Sequence, residues 1–337
     1  MENDIHNNGA VDFVLPWVDG SDPAWVEAFS TAPGSEEGDD RCCRYRDWEL
    51  LPYLFRGFEK FTPWVRKIHF ITWGHLPHWL NVDHPKLNIV NHADFIEAKY
   101  LPIFSCNPIE IHLHRIKGLA EQFVYFNDDT FILTSLGENY FFSDGKPRDL
   151  LAFNAIYDSP IAHIKINDVK AINRHFDKTS VVRKNFFKIF NLKYPLVEII
   201  KTLLLLPWPK LTGFFDPHQP QPYVKNIFFE VWDREKEILE KTASTKIRSS
   251  DDVNQYLFRY WQLCSGNFNT RSFDKTFSKM IESDGDADEF CNKIYSNRYD
   301  MICINDNIEN FDLFERSKKK LLEAFETILP EKSTFEK

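Results

Sequence analysis

The sequence predicts an α/β fold: a Rossmann-like or GT-A-like sheet of mostly parallel strands flanked by helices. Three observations predict it. Short apolar runs of strand length recur at residues 11–17, 67–73, 87–91 and 123–126, each bounded by turn residues. Between the first two lies a segment whose apolar residues return at helical spacing. Strands alternating with helices in this order favour parallel pairing, because a parallel neighbour needs a crossover. Apolar residues make up 43% of the 337-residue chain and aromatics 15%, enough for a substantial core. The expected organisation is one catalytic domain over 1–337, carrying a basic, apolar insert at 183–215.

The elements follow in order. Residues 11–17 (VDFVLPW) read as a buried strand, and residues 18–23 (VDGSDP) as the turn after it. Ligands of α/β sheets bind outside the carboxyl ends of strands. Asp19 and Asp22 therefore read either as ligand contacts or as turn residues chosen for backbone preference. Residues 30–40 form a polar loop. Asp47 is expected to cap a helix reaching Phe61, with Leu51, Leu54, Phe55, Phe58 and Phe61 on its core face. Residues 101–122 carry a helix-like run holding Glu110, His112, His114 and Arg115. Glu110 and His114, four apart, can share a helix face as an acid–base pair or as an ordinary surface contact. His112 and His114, two apart, cannot share one, which speaks against a zinc site.

The run at 123–126 stops at Asn127-Asp128-Asp129 and resumes at Phe131. Adjacent carboxylates between apolar runs are costly to bury unless something positive meets them. A divalent cation is a natural partner, since hard cations prefer oxygen. A turn or helix cap is the plainer reading.

Residues 183–215 hold Arg183, Lys184, Lys188, Lys193, Lys201 and Lys210 against one acid, Glu198, with many aromatic and aliphatic residues between them. Such a segment reads as contact with an anionic membrane surface or as a helical hairpin packed on the domain. Beyond it come His218, a charged helix over 228–242, and a helix over 253–263 capped by Ser250 or Asp251. Arg248 stands before that helix, where free N–H groups favour an anion; the plainer reading pairs it with Asp251 or Asp252. Asp284, Asp286 and Asp288 begin like a calcium loop but lack its glycine and final glutamate. Residues 302–304 form a last strand, and residues 313–329 a closing helix.

Charge and cysteine usage exclude other classes. The net charge of −9 and the lack of a long basic run argue against a nucleic-acid polymer as partner. The six cysteines include the adjacent Cys42 and Cys43 but no Cys-x-x-Cys pair. They read as reduced thiols of a cytoplasmic protein. The N-terminal residues lack the pattern of a signal peptide, and no run of about 18 apolar residues suits a membrane span.

Four blocks together resemble the Stealth family of hexose-1-phosphate transferases. They are DFVLPWVDGSDPAW; the long stretch from RYRDWELL through HPKLNIVNHADF to FVYFNDDTF; HQP with KIRSSDDVNQYLFRYWQL; and ICINDN. The chain departs from the family pattern at Pro16, Ile103 and Cys106. The resemblance implies transfer of a sugar-1-phosphate from a nucleotide sugar, such as UDP-N-acetylglucosamine, to a glycan or lipid-linked glycan hydroxyl. Capsule or exopolysaccharide synthesis would be the setting, at the cytoplasmic, inner face of the plasma membrane. It implies catalytic roles for His218, Glu110, Asp128 and Arg248, with His218 the first choice of base and Glu110 the second. Trp17, Asp19, Gly20, Ser21, Arg46, Asp47, His114, Arg115, Asn127 and Asn305 would meet substrate. Asp128, Asp129, Asp22 and Asp306 would hold Mg2+ or Mn2+. Two alternatives stand beside it: a metal-dependent glycosyltransferase releasing nucleoside diphosphate, and a non-catalytic carbohydrate-binding protein.

Overall fold

The computed structural model describes residues 9–32 and 46–337. Cys42, Cys43 and residues 33–40 of the expected polar loop lie outside the described residues.

The first apolar run becomes β1 (Val11–Pro16). After it come β2 (Ile68–Thr72), β3 (Leu87–Asn91), β4 (Gln122–Tyr125), β5 (Thr130–Ile132), β6 (Phe142–Ser143), β7 (Lys146–Asp149), β8 (Gln221–Val224), β9 (Asn269–Thr270), β10 (Thr276–Ile281) and β11 (Met301–Asp306). The main sheet runs β3-β2-β1-β4-β8. Its first four strands are parallel and β8 is antiparallel to β4. The α/β expectation, with a mostly parallel sheet flanked by helices, is met. Two smaller sheets, β10-β11-β5 and β6-β7-β9, pack beside it.

Both faces of the main sheet are covered, which is why its strands read as largely apolar runs. Alternation sends Phe13 and Leu15 into one core with Leu54, Phe55, Phe58 and Phe70. Val14, Ile71, Phe123 and Tyr125 enter the other core. The helix Leu51–Phe61 buries the expected face, but Asp47 does not cap it. The cap position is Leu50, with no side-chain bond, and Pro52 in the first turn has no N–H to satisfy there. Asp47 Oδ1 accepts instead from the Glu49 N–H at 2.7 Å.

Three further expectations change. The helix-like run collapses to Cys106–Glu110 and a single 3-10 turn, Leu113–Arg115. The charged helix over 228–242 is two, Lys225–Arg234 and Lys236–Ala243. They break where buried Glu235 accepts from Arg174 Nε and lies 2.7 Å from His175 Nε2. The later helix is Gln255–Ser265, and its cap is Asn254, whose Oδ1 accepts from Tyr256 N–H at 3.0 Å. Ser250 and Asp251 play no part in it, and Asp251 pairs with Lys241 at 2.8 Å.

Candidate active site at the carboxyl edge of the sheet

Strand register assembles the site. β1 and β4 are parallel, with Val14 opposite Tyr125, so both release their following loops at one edge. The β1 loop carries Trp17 to Asp22 and the β4 loop Asn127 to Asp129. β8 runs the other way, with Gln221 opposite Tyr125, which brings His218 to the same edge. β5 leaves Asp129 at once and pairs with β11, Thr130 opposite Cys303. The Ile304 N–H donates to the Asp129 carbonyl at 2.9 Å. Four segments far apart in sequence meet there.

The result is a cluster of three different donors. His218 Nε2 lies 3.9 Å from Asp129 Oδ2, and one ligand atom each from Asp129, His218 and Cys303 all fall within 4.8 Å of one another. His218 has φ +47, a left-handed conformation uncommon outside glycine and often concentrated where function over-determines the backbone. The Cys303 sulfur and the Asp129 carboxylate raise the His218 pKa well above its ordinary value, against the effect of burial. Burial, followed by Asp129, also raises Cys303, so the sulfur is a thiol at neutral pH. The carboxylate is then the charge that holds the imidazole proton. The shift favours the protonated imidazole, the form that can donate to a phosphate oxygen. Asp128 is the opposite case. The protein packed around its carboxyl, then the charges of Asp129 and Asp47, push it up to about 7, although the residue keeps exposed surface that a substrate can reach.

Behind this edge sits a buried layer. Glu110 accepts from the Tyr125 O–H at 2.9 Å and the Gln255 N–H at 3.1 Å, and burial raises its pKa. Both oxygens are engaged and the residue is buried, an arrangement that does not suit the expected second base. Arg248 reaches the same layer, with Nη2 3.5 Å from Cys106 Sγ and its charge felt by Glu110 and Asp252.

The remaining expected residues divide. Asp19 Oδ1 accepts from the N–H and O–H of Ser21 at 2.8 and 2.6 Å, and its own N–H donates to His75 Nε2. These bonds close the loop around Gly20. Trp17 stacks on Phe70. Asn305 Nδ2 donates to Ser278 Oγ at 3.3 Å on the Cys303 side of β11. Asn127 is half-buried in the loop. Asp22 caps the helix Pro23–Ser30, accepting from Trp25 N–H at 2.8 Å, so the cap reading displaces the metal reading. Asp306 is held by Arg46, Nη2 to Oδ1 at 2.8 Å and Nε to Oδ2 at 3.1 Å. Each neutralises the other, which speaks against Asp306 as a metal ligand and against Arg46 as a free contact for substrate. His114 is buried against Phe228 and Phe229, and burial pushes it down to about 3. Arg115 pairs with Glu97 at 3.1 Å and covers Trp232.

Sequence reasoning missed Cys303 and Tyr125. Period-two alternation along residues 301–305 already put Cys303 on the face of Asn305, but which face meets Asp129 depends on pairing with β5.

The donors fit a divalent cation. Asp128 stands beside Asp129 with its charge suppressed, a cost that a cation would relieve. Asp129, His218 and Cys303 offer oxygen, nitrogen and sulfur at ligand spacing. The cluster can take its positive charge as a proton on His218 or as a metal ion, not readily both.

A sheet that gathers charged side chains at its carboxyl edge is the usual α/β setting for a ligand-handling enzyme site. Family models named Stealth protein conserved region 1, 2 and 4 match residues 9–30, 44–149 and 292–337. The chain is 40% identical over 344 residues to the capsular polysaccharide phosphotransferase WcwK of Streptococcus pneumoniae, covering 99% of this chain and 100% of that one. It is 37% identical to the receptor polysaccharide phosphotransferase WefC of Streptococcus gordonii, covering 97% and 98%. Among solved structures, the galactosyltransferase LgtC, in complex with donor and acceptor sugar analogs, aligns over 96% of this chain and 98% of its own at 10% identity and a TM-score of 0.40. The protein is thus a phosphotransferase. It belongs to the Stealth family. His218, Arg248 and residues 183–215 lie outside the three matched regions. No helix among the described residues is long and apolar enough to cross a membrane.

Proposed function

We propose that the protein transfers a sugar-1-phosphate from a nucleotide sugar to a hydroxyl of a glycan acceptor, in the synthesis of a surface polysaccharide. The acceptor oxygen attacks the phosphorus that bears the sugar. The bond from that phosphorus to the nucleoside phosphate breaks, and nucleoside monophosphate leaves. Asp128, in its ionised form, takes the acceptor proton; an accessible carboxyl with a pKa of about 7 is suited to this at neutral pH. The convergence of Asp129, His218 and Cys303, with Asp128 beside them, at the carboxyl edge of the sheet carries the proposal. His218 and Arg248 supply positive charge to the phosphates. Trp17, Asp19, Gly20 and Ser21 form the wall on the β1 side, and Asp47, Asn127 and Asn305 the rim. A divalent ion, Mg2+ or Mn2+, would be held by Asp129 and by His218 in its neutral form, taking over the positive charge that the imidazole proton otherwise supplies and leaving Asp128 free as the base. When bound it neutralises phosphate oxygens. The polysaccharide phosphotransferases among the relatives support this assignment of substrate class.

Purified protein is to be supplied with a panel of nucleotide sugars, a glycan acceptor and Mg2+ or Mn2+, and followed by phosphorus NMR. The expected products are a phosphodiester resonance and nucleoside monophosphate. Release of nucleoside diphosphate with no diester would replace the proposal with glycosyl transfer.

A further inference from the structure

The helix Leu196–Leu205 is built inside out. An amphipathic helix on a globular protein turns its apolar stripe to the core. Here the two fully buried residues are polar, Glu198 and Thr202, at 4% and 0% exposure, with Ile199 and Leu205 packed partly against the core beside them. Leu196, Val197, Ile200, Leu203 and Leu204 face outward, Leu196 and Leu204 at 70% and 67% exposure. The inversion is fixed by specific bonds. The Phe153 N–H donates to Thr202 Oγ1 at 2.9 Å. Lys178 Nζ donates to the Leu206 and Trp208 carbonyls at 3.2 and 2.6 Å. Phe186, Phe187, Leu192 and Trp208, before and after the helix, are exposed as well, Leu192 at 98%. So many large apolar residues exposed within one short stretch of chain point to an interaction site.

Its charge selects the partner. Residues 183–210 contain Glu198 as their only acid, buried and paired with Lys201 at 2.8 Å. Arg183, Lys184, Lys193 and Lys210 are exposed. Lys188 is occupied inside, donating to the Gly266 and Phe268 carbonyls. The segment is therefore apolar and cationic on a chain whose net charge is −9. An apolar face rimmed by cations matches an anionic lipid surface, whose acyl boundary takes the leucines and aromatics and whose headgroups take the lysines.

We propose that residues 183–210 dock this protein on anionic bilayers as an interfacial helix. Trp208 is ten residues from His218, so the cleft lies within about 35 Å of the docked face. Docking would confine the enzyme to the plane in which a lipid-linked acceptor diffuses. Lipid binding itself does not depend on the transfer reaction proposed above.

The full chain is to be sedimented with vesicles of phosphatidylcholine, with and without phosphatidylglycerol. The wild type should bind the anionic vesicles and largely ignore the neutral ones. Leu203→Asp with Leu204→Asp, both on the outward face, should abolish binding while leaving the melting temperature unchanged. Lys184→Ala with Lys193→Ala should weaken it by about tenfold or more, and added salt should do the same. Failure of the wild type to bind anionic vesicles, or equal binding by wild type and both variants, overturns the proposal. A wild-type dimer that the leucine variant dissociates overturns it as well, assigning the face to a second copy.

Discussion

The two edges of the main sheet use the same side chain to opposite ends. At the amino edge, Asp12 has no exposed surface. Its oxygens accept from Arg66 Nε at 2.9 Å and Ala120 N–H at 2.8 Å, and lie 2.9 Å from His69 Nε2. Burial alone would raise its pKa, but the bonds to His69 and Arg66 outweigh it and hold the carboxyl below its ordinary value. At the carboxyl edge, Asp128 meets crowding and a second carboxylate, and is pushed up to about 7. A carboxylate surrounded by donors is finished structure. One left beside another acid has its charge held in reserve for a proton, a cation or a substrate.

The largest expected effect tests the reserved carboxylate. Asp128→Asn should lower turnover by about 10²–10⁴-fold without loss of melting temperature. The pH dependence sharpens the test, with chelator present. The folded pKa of about 7 exceeds the ordinary 3.8, so between these values the folded protein keeps a proton that the unfolded chain releases. Wild-type stability therefore falls as pH rises through that window. The asparagine variant lacks this loss. The two should match well below the carboxylate range, and the variant should be the more stable above neutrality, read by urea unfolding at each pH. A difference that is constant with pH would sink the reserved-charge account.

Breaking the amino edge should do the reverse. Asp12→Ala leaves His69 and Arg66 without their buried partner, a change that typically costs about 3–5 kcal/mol. Activity per folded molecule should hold. Because the folded pKa of Asp12 is lowered, its stabilisation is present above the ordinary carboxylate value and lost as pH falls through the folded one. Acid-side unfolding should thus be steeper in the wild type than in the variant. Loss of turnover without loss of stability in Asp12→Ala would erase the contrast between the edges.

What the sequence revealed follows the range of the interactions involved. The strands and the buried face of the Leu51–Phe61 helix were legible because their signals are local periodicities. The adjacent Asp128 and Asp129 were legible because nothing nearby in sequence could neutralise them. Asp306 was misread because its partner, Arg46, is 260 residues away. Asp22 carried a local cap signal, Asp followed by Pro, that fits the helix start as well as it fits a ligand. His114 looked available until the helix Lys225–Arg234 covered it with Phe228 and Phe229. The composition of residues 183–215 showed a basic, apolar segment, but not which side faces out. That is decided by Thr202 meeting the backbone of Phe153, a contact between distant parts of the chain.

The smallest expected effect separates the two kinds of cation that the carboxyl edge could take. Cys303 is buried and its thiol pKa is raised, first by burial and then by Asp129. Hard ions such as Mg2+ have little use for a protonated sulfur, whereas soft ions displace the proton and take the thiolate. Cys303→Ser should therefore leave Mg2+- or Mn2+-supported turnover within a few fold of wild type. It should weaken Cd2+ binding by about tenfold or more, read by the ultraviolet absorbance of the cadmium–thiolate bond and by calorimetry. Equal Cd2+ affinity in both proteins would remove the sulfur from the cluster and leave Asp129 and His218 with Asp128 as the charge-accepting set. A large loss of Mg2+-supported turnover would instead place Cys303 in the reaction itself, and the contrast between a donor-filled edge and a charge-hungry one would then rest on the thiol as much as on the carboxylates.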